Sequence, residues 1–225
     1  MSPRLSAALI LLLLLPAPSI GVAAALWWWP EQPLGQTLFA LCKVWLLALP
    51  LLWYRLVERG SWSLSPMRRG GFRMGMFTGI GIAVVIVLVY VLARPWLDLS
   101  ALQARLAAIG LDTPGRLLVM AAYWTFINSV LEEYVWRWFV VRQWIRLLPA
   151  AGAIVAAALA FTVHHVIALR LYFDWPLALL ASAGVCAGGL IWSWMYWRYA
   201  SIWPGWISHA WADLAIFGIA LTWVL

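Results

Sequence analysis

Charge is scarce in this chain: Asp, Glu, Lys and Arg make up 10% of its 225 residues, less than half the share usual in soluble domains. So few charges cannot coat a water-facing surface, which excludes an ordinary soluble domain. Lysine is nearly absent, Lys43 being the only one, so arginine carries almost all of the net charge of +7. Arginines gathered in short loops suit anionic phospholipid headgroups, and nucleic acid is not expected as a partner. Cysteine is limited to Cys42 and Cys186, in separate apolar runs and without C-x-x-C spacing, so neither a disulfide framework nor a structural zinc site is indicated. No repeat at a fixed period is found, which argues against a tandem architecture.

What is present is apolar. A helix needs about 20 apolar residues to cross a bilayer, and the chain holds runs near 5–28, 34–56, 74–92, 117–145, 150–171, 177–199 and 202–225, separated by Pro, Gly and charged breaks. The expected fold is all-α, a polytopic transmembrane helical bundle of about seven spans, with six to eight as the range, and a polar cavity inside the membrane. It forms one integral membrane domain, with N-terminal helices and an interfacial loop over 1–116 and the chemistry-bearing core over 117–225. The nineteen tryptophans, including Trp27 to Trp29 at a span end, read as interfacial anchors. The first run also resembles a signal peptide, with Arg4 before the leucines and GVAAA at Gly21 to Ala25, yet its apolar length continues to Trp29 and favours an uncleaved span.

Arg55, Arg59, Arg68, Arg69 and Arg73 lie in the second loop and Arg142 and Arg146 in the fourth, which places both loops in the cytoplasm. Arg4 and Arg198 then fall inside too, giving an internal N-terminus and an external C-terminus. The expected setting is the bacterial inner, or plasma, membrane. Leu99, Leu102, Leu106 and Ile109 in the third loop have helical spacing and suit a helix lying flat on the outer interface.

Ionisable groups at bilayer depth cost at least about 2.5 kcal/mol each on insertion scales, so they face the protein interior and mark candidate sites. The fourth run contains Asn128, Glu132, Glu133 and Arg137, the fifth His164 and His165, and the seventh His209 and Asp213. Neighbours on a helix project about 100° apart, whereas residues four apart share a face. Glu133 should therefore pair with Arg137 in the favourable order of acid before base. Glu132 shares its face with Asn128 and remains free to meet water or a substrate. Phe161 should pack beside His165, and His209 beside Asp213. At about 1.5 Å per residue, Glu132 and His165 reach nearly equal depth, roughly 22 Å from the cytoplasmic ends of ideal helices, while His209 comes out shallower.

Such a set can hydrolyse a peptide bond without a covalent nucleophile. Glu132 with His165 would activate a water, while His209 and Asp213 position or stabilise the other side. Serine chemistry is disfavoured because G-x-S-x-G is missing. A metal-dependent alternative stays open, since Glu132, His165 and His209 form a His₂Glu set of the kind that holds zinc, although H-E-x-x-H is absent.

Three motifs carry a resemblance. EEYVWR at Glu132 to Arg137 matches EExxxR, FTVHH at Phe161 to His165 matches FxxxH, and HAWAD at His209 to Asp213 resembles HxxxN. Their order, each on an expected membrane helix, resembles the CPBP family of intramembrane proteases, the CAAX prenyl endopeptidases and bacteriocin-processing or self-immunity proteins also called Abi. The resemblance implies a glutamate mechanism with no obligatory metal or other cofactor, and an oxyanion site at His209 and Asp213. It implies catalytic roles for Glu132, His165, His209 and Asp213, supported by Glu133, Arg137 and Phe161, and Asn128, on the face of Glu132, is expected to support them too. Expected partners are the bilayer and a membrane protein or lipidated peptide as substrate. The family often has Asn at the last motif position, and Asp213 can donate a hydrogen bond only when protonated. A non-catalytic membrane scaffold or chaperone is the alternative from another class, while a transporter is disfavoured because no broken helices recur in paired halves.

Overall fold

The structure, a computed structural model, describes residues 2–61 and 63–225. Eight helices make up its regular structure: α1 (Pro3–Trp28), α2 (Pro33–Val57), α3 (Phe72–Trp96), α4 (Leu99–Ala108), α5 (114–145), α6 (Ala150–Tyr172), α7 (Trp175–Tyr199) and α8 (Trp203–Leu221). Seven of them coincide with the apolar runs, and α4 is the short helix of the third loop.

Local chemistry sets the boundaries. Pro3, Pro33 and Pro114 stand at first helical positions, where a missing N–H costs nothing. Ser2, Asp98, Thr113 and Asp174 cap α1, α4, α5 and α7 by accepting a backbone N–H three residues on. The Asp98 carboxyl also accepts from the Ser100 hydroxyl at 2.6 Å, and these donors hold it below the usual carboxylate range. Ala200 adopts φ 52° and ends α7 with a left-handed turn into α8.

Five helices, α1, α2, α3, α6 and α7, are long and apolar enough to cross a membrane. The two that fall short of the expected seven, α5 and α8, are those carrying the acidic and basic motif residues, which lower their apolarity while packing hides them. The core is built around α5: Val135, Trp136, Phe139, Val140 and Val141 pack with Ile10 and Leu14 of α1, Phe161 of α6 and Met195 of α7. By contrast, only 6% of the apolar window of α3 is buried, and Phe77, Val84, Val85, Leu88 and Leu92 point outward. Such a face is at home only in lipid.

Helix α3 lies along α8 at very short range. A Cβ added at Gly75 would stand 2.5 Å from the Pro204 carbonyl oxygen, and one at Gly79 would stand 3.0 Å from Ser208 Cα. Small residues let membrane helices approach this closely. On the far side of α8, Gly205 leaves room for Glu133, whose Oε2 would lie 2.6 Å from an added Cβ.

The segments around Arg4, Glu58, Ser65, Arg146 and Ser201 meet on one face of the bundle. Arg4 donates to the Leu147 carbonyl at 3.2 Å, Arg146 and Gln143 both reach Glu58 at 2.8 Å, and Ser201 donates to the Ser65 carbonyl at 2.6 Å. At the opposite end Trp27 donates to the Ile167 carbonyl, and Trp223 to the Tyr90 hydroxyl. The expected alternation of loops is therefore present. Helix α4 buries Leu102 and Leu106 near the C-terminal end of α8, where Gln103 donates to the Trp223 carbonyl.

Candidate active site

Helix α5 departs from regular α-helix where its polar residues stand. Wider π-helical turns run over Trp124–Asn128 and Glu133–Val141, flanking a single α-turn at Ser129–Glu132. Such turns are uncommon and gather at functional sites. They also turn less per residue, so neighbouring side chains diverge less than the 100° of an α-helix.

The two glutamates accordingly reach one ring. His209 Nδ1 lies 3.2 Å from Glu133 Oε1, and its Nε2 lies 3.8 Å from Glu132 Oε2 and 3.9 Å from Asp213 Oδ1. A carboxylate can only accept, so with Glu133 ionised His209 Nδ1 carries a proton and donates it. The ring is stacked on Trp192 at 4.0 Å with 14° between planes. Trp192 is held in turn by an indole N–H donated to Ser208, which also bonds Thr78. His209 is thus fixed by α5, α7 and its own helix, and the shallower depth expected from ideal helices does not keep it from Glu132.

Glu133 also pairs with Arg137, Nε to Oε1 at 3.5 Å, with both side chains wholly buried. The Arg137 guanidinium has no hydrogen-bond partner among the described residues. It lies over the rings of Phe161 at 4.6 Å and Trp192 at 5.3 Å, where cation–π attraction offsets part of its lost hydration. Spacing alone assigned Glu133 to Arg137, and the structure adds that the same carboxylate binds His209.

Glu132 is placed differently. Its side chain keeps 17% of its surface exposed against zero for Glu133, 8% for His209 and 10% for Asp213. Asn128 Nδ2 donates to its Oε1 at 2.8 Å, as their shared face leads one to expect. The polar groups are packed together, and Glu132 is the most accessible of the three carboxylates. His165, half-buried on α6, lies beside Phe161 with ring centroids 4.4 Å apart and planes tilted by 53°, and places Nδ1 2.9 Å from the Phe161 carbonyl. A carbonyl only accepts, so Nδ1 bears the proton and Nε2 of the neutral ring is left as an acceptor. His165 and Glu132 are close enough to interact electrostatically. His164 lies 4.2 Å from the His165 ring and stacks on Trp136.

Two groups have no counterpart in the motifs. Lys43 on α2 donates to Asn128 Oδ1 at 3.0 Å, and the Ser208 hydroxyl links Thr78 to Trp192 behind His209. The signal for Lys43 was its charge within an apolar run; nothing in the spacing of Thr78 or Ser208 marks them. Among the described residues, no three His, Cys, Asp or Glu side chains are arranged to hold a metal ion, and Cys42 and Cys186 are free thiols.

The family model described as Type II CAAX prenyl endopeptidase Rce1-like matches residues 114–224, the stretch from α5 through α8 that holds all these polar groups except Lys43 and Thr78. No curated protein and no solved structure matches the chain.

Proposed function

Through residues 114–224 the chain belongs to the Rce1-like type II CAAX prenyl endopeptidases, and from that premise we propose that it cleaves peptide bonds inside the membrane with a water activated by Glu132 and His165. The observation that carries this reading is the unequal fate of two adjacent carboxylates. Glu133 is sealed between Arg137 and His209, whereas Glu132 retains 17% exposure and an Oε2 that stands 3.8 Å from His209 Nε2, beyond hydrogen-bond distance. A group that must meet water and substrate cannot be fully enclosed. The substrate class this supports is a membrane protein or lipidated peptide presented from the bilayer.

In this mechanism the water gives its proton to Glu132, aided by His165 Nε2, as its oxygen attacks the scissile carbonyl. The carbonyl oxygen gains the negative charge and is met by His209 Nε2–H and by Asp213 in its protonated form. Because Nδ1 donates to Glu133, an Nε2–H requires the ring in its doubly protonated form, with the carboxylates of Glu133 and Glu132 on either side to hold the charge. Collapse of the tetrahedral intermediate breaks the C–N bond, and Glu132 returns the proton to the leaving amine. No metal takes part in these steps. The basic loops are cytoplasmic in this reading, with the N-terminus inside and the C-terminus outside.

The test compares membrane proteomes from cells carrying the wild-type chain or Glu132→Gln. A protein that is cut in the first and accumulates uncut in the second is expected, with both chains present at equal level. Equal cleavage by a well-folded Glu132→Gln chain would leave a scaffold role as the better account.

A further inference from the structure

The only lysine of the chain stands in the middle of α2, ten residues beyond Pro33, about 15 Å along the helix axis. From that depth it makes a directed polar chain. Lys43 Nζ donates to Asn128 Oδ1 at 3.0 Å, and Asn128 Nδ2 donates to Glu132 Oε1 at 2.8 Å. Nζ also lies 5.8 Å from the Phe39 ring and 5.9 Å from that of Trp124, which hold it from the α2 and α5 sides.

The direction of this chain follows from what each group can do. An ammonium has donors and no acceptor, an ionised carboxylate accepts and cannot donate, and an amide has one end of each kind. Only one orientation of the buried Asn128 amide satisfies both neighbours. Without Lys43 the Asn128 carbonyl loses that donor, and the amide that ties down Oε1 of Glu132 loses its anchor on the far side. With Lys43 in place, Oε1 of Glu132 is tied down and Oε2 is left toward His209 at 3.8 Å.

We propose that Lys43 is a positioning residue for Glu132: by donating to the Asn128 carbonyl it holds in place the amide whose N–H meets the carboxylate, and so sets which carboxylate oxygen is left for the reaction. The inference rests on the proteolytic reading of the site. It lies outside the matched stretch 114–224, and it gives α2 a part in chemistry otherwise supplied by α5, α6 and α8.

The test uses the purified full chain in proteoliposomes and, as substrate, the protein that accumulates uncut beside Glu132→Gln. Lys43→Met should lower kcat about ten- to a hundredfold while KM stays within about twofold, the pattern of a misplaced catalytic group. Lys43→Arg, which keeps a cationic donor, should recover most of the loss. Asn128→Ala should lower kcat to a similar degree, and adding Lys43→Met to it should cost nothing more, because the two act as one unit.

Asn128→Asp separates positioning from anchoring. That variant keeps a partner for Lys43 yet loses the donor to Glu132, so an anchoring role leaves kcat intact and a positioning role lowers it. This arm also carries the test should Lys43→Met fail to fold. Wild-type kcat in Lys43→Met, or in Asn128→Asp, overturns the proposal while Glu132→Gln remains inactive. Cleavage by Glu132→Gln itself overturns the proteolytic reading and this inference with it.

Discussion

Arg137 is wholly enclosed, with Glu133 on one side and the faces of Phe161 and Trp192 on the other. Breaking a buried ion pair by removing one partner costs about 3–5 kcal/mol, because the other charge is left behind. Arg137→Met should therefore lower stability by about 3 kcal/mol, the lower end of that range because His209 still donates to Glu133. Adding Glu133→Gln should restore part of it, as measured by thermal unfolding in bicelles; a single variant as stable as wild type would contradict the enclosure. The pairing itself was readable from the sequence, since residues four apart on a helix meet whatever surrounds them. The bond from Glu133 to His209 was not, because it depends on how α8 is rotated against α5. Lys43 announced itself only as a charge in an apolar run, and its partner Asn128 lies 85 residues away, beyond any spacing rule.

At the scale of elements, helix positions were legible and helix form was not. Apolar length and Pro, Gly and charged breaks located all seven long helices, because lipid demands continuous helix wherever the chain crosses it. The π-helical turns of α5 left no such mark, and they are what brings Glu132 and Glu133 to opposite nitrogens of one imidazole. The contact of α3 with α8 is set by glycine. Gly75→Val would drive a side chain into the Pro204 carbonyl, at a cost of about 1–3 kcal/mol for overpacking, and would shift the segment that carries His209. The expected result is a loss of both stability and cleavage. Gly81→Val is the control, since an added Cβ there meets nothing within 4 Å; equal behaviour of the two variants would refute the close approach.

For the whole molecule, the arginines of the second and fourth loops predict which side those loops take, because charge is retained where it need not cross. The contacts of Arg4 with Leu147 and of Glu58 with Arg146 place those segments on one face. In chains with Cys42 and Cys186 replaced by serine, Arg69→Cys and Leu148→Cys should react with a membrane-impermeant thiol reagent from one side. Asp112→Cys should react from the other. Labelling of all three from the same side would undo the topology. The pairing of α3 with α8 has a consequence for how the protein is made. A ribosome delivers α3 into the bilayer some 130 residues before its partner, and α3 is apolar enough to wait in lipid alone. Helix α8 bears His209 and Asp213 and is not, so it gains a place in the membrane chiefly by docking on the glycine face already there. His209 therefore arrives after Glu132 and His165, and a nascent chain stopped short of α8 holds Glu132 in the membrane without the imidazole that lies beside it.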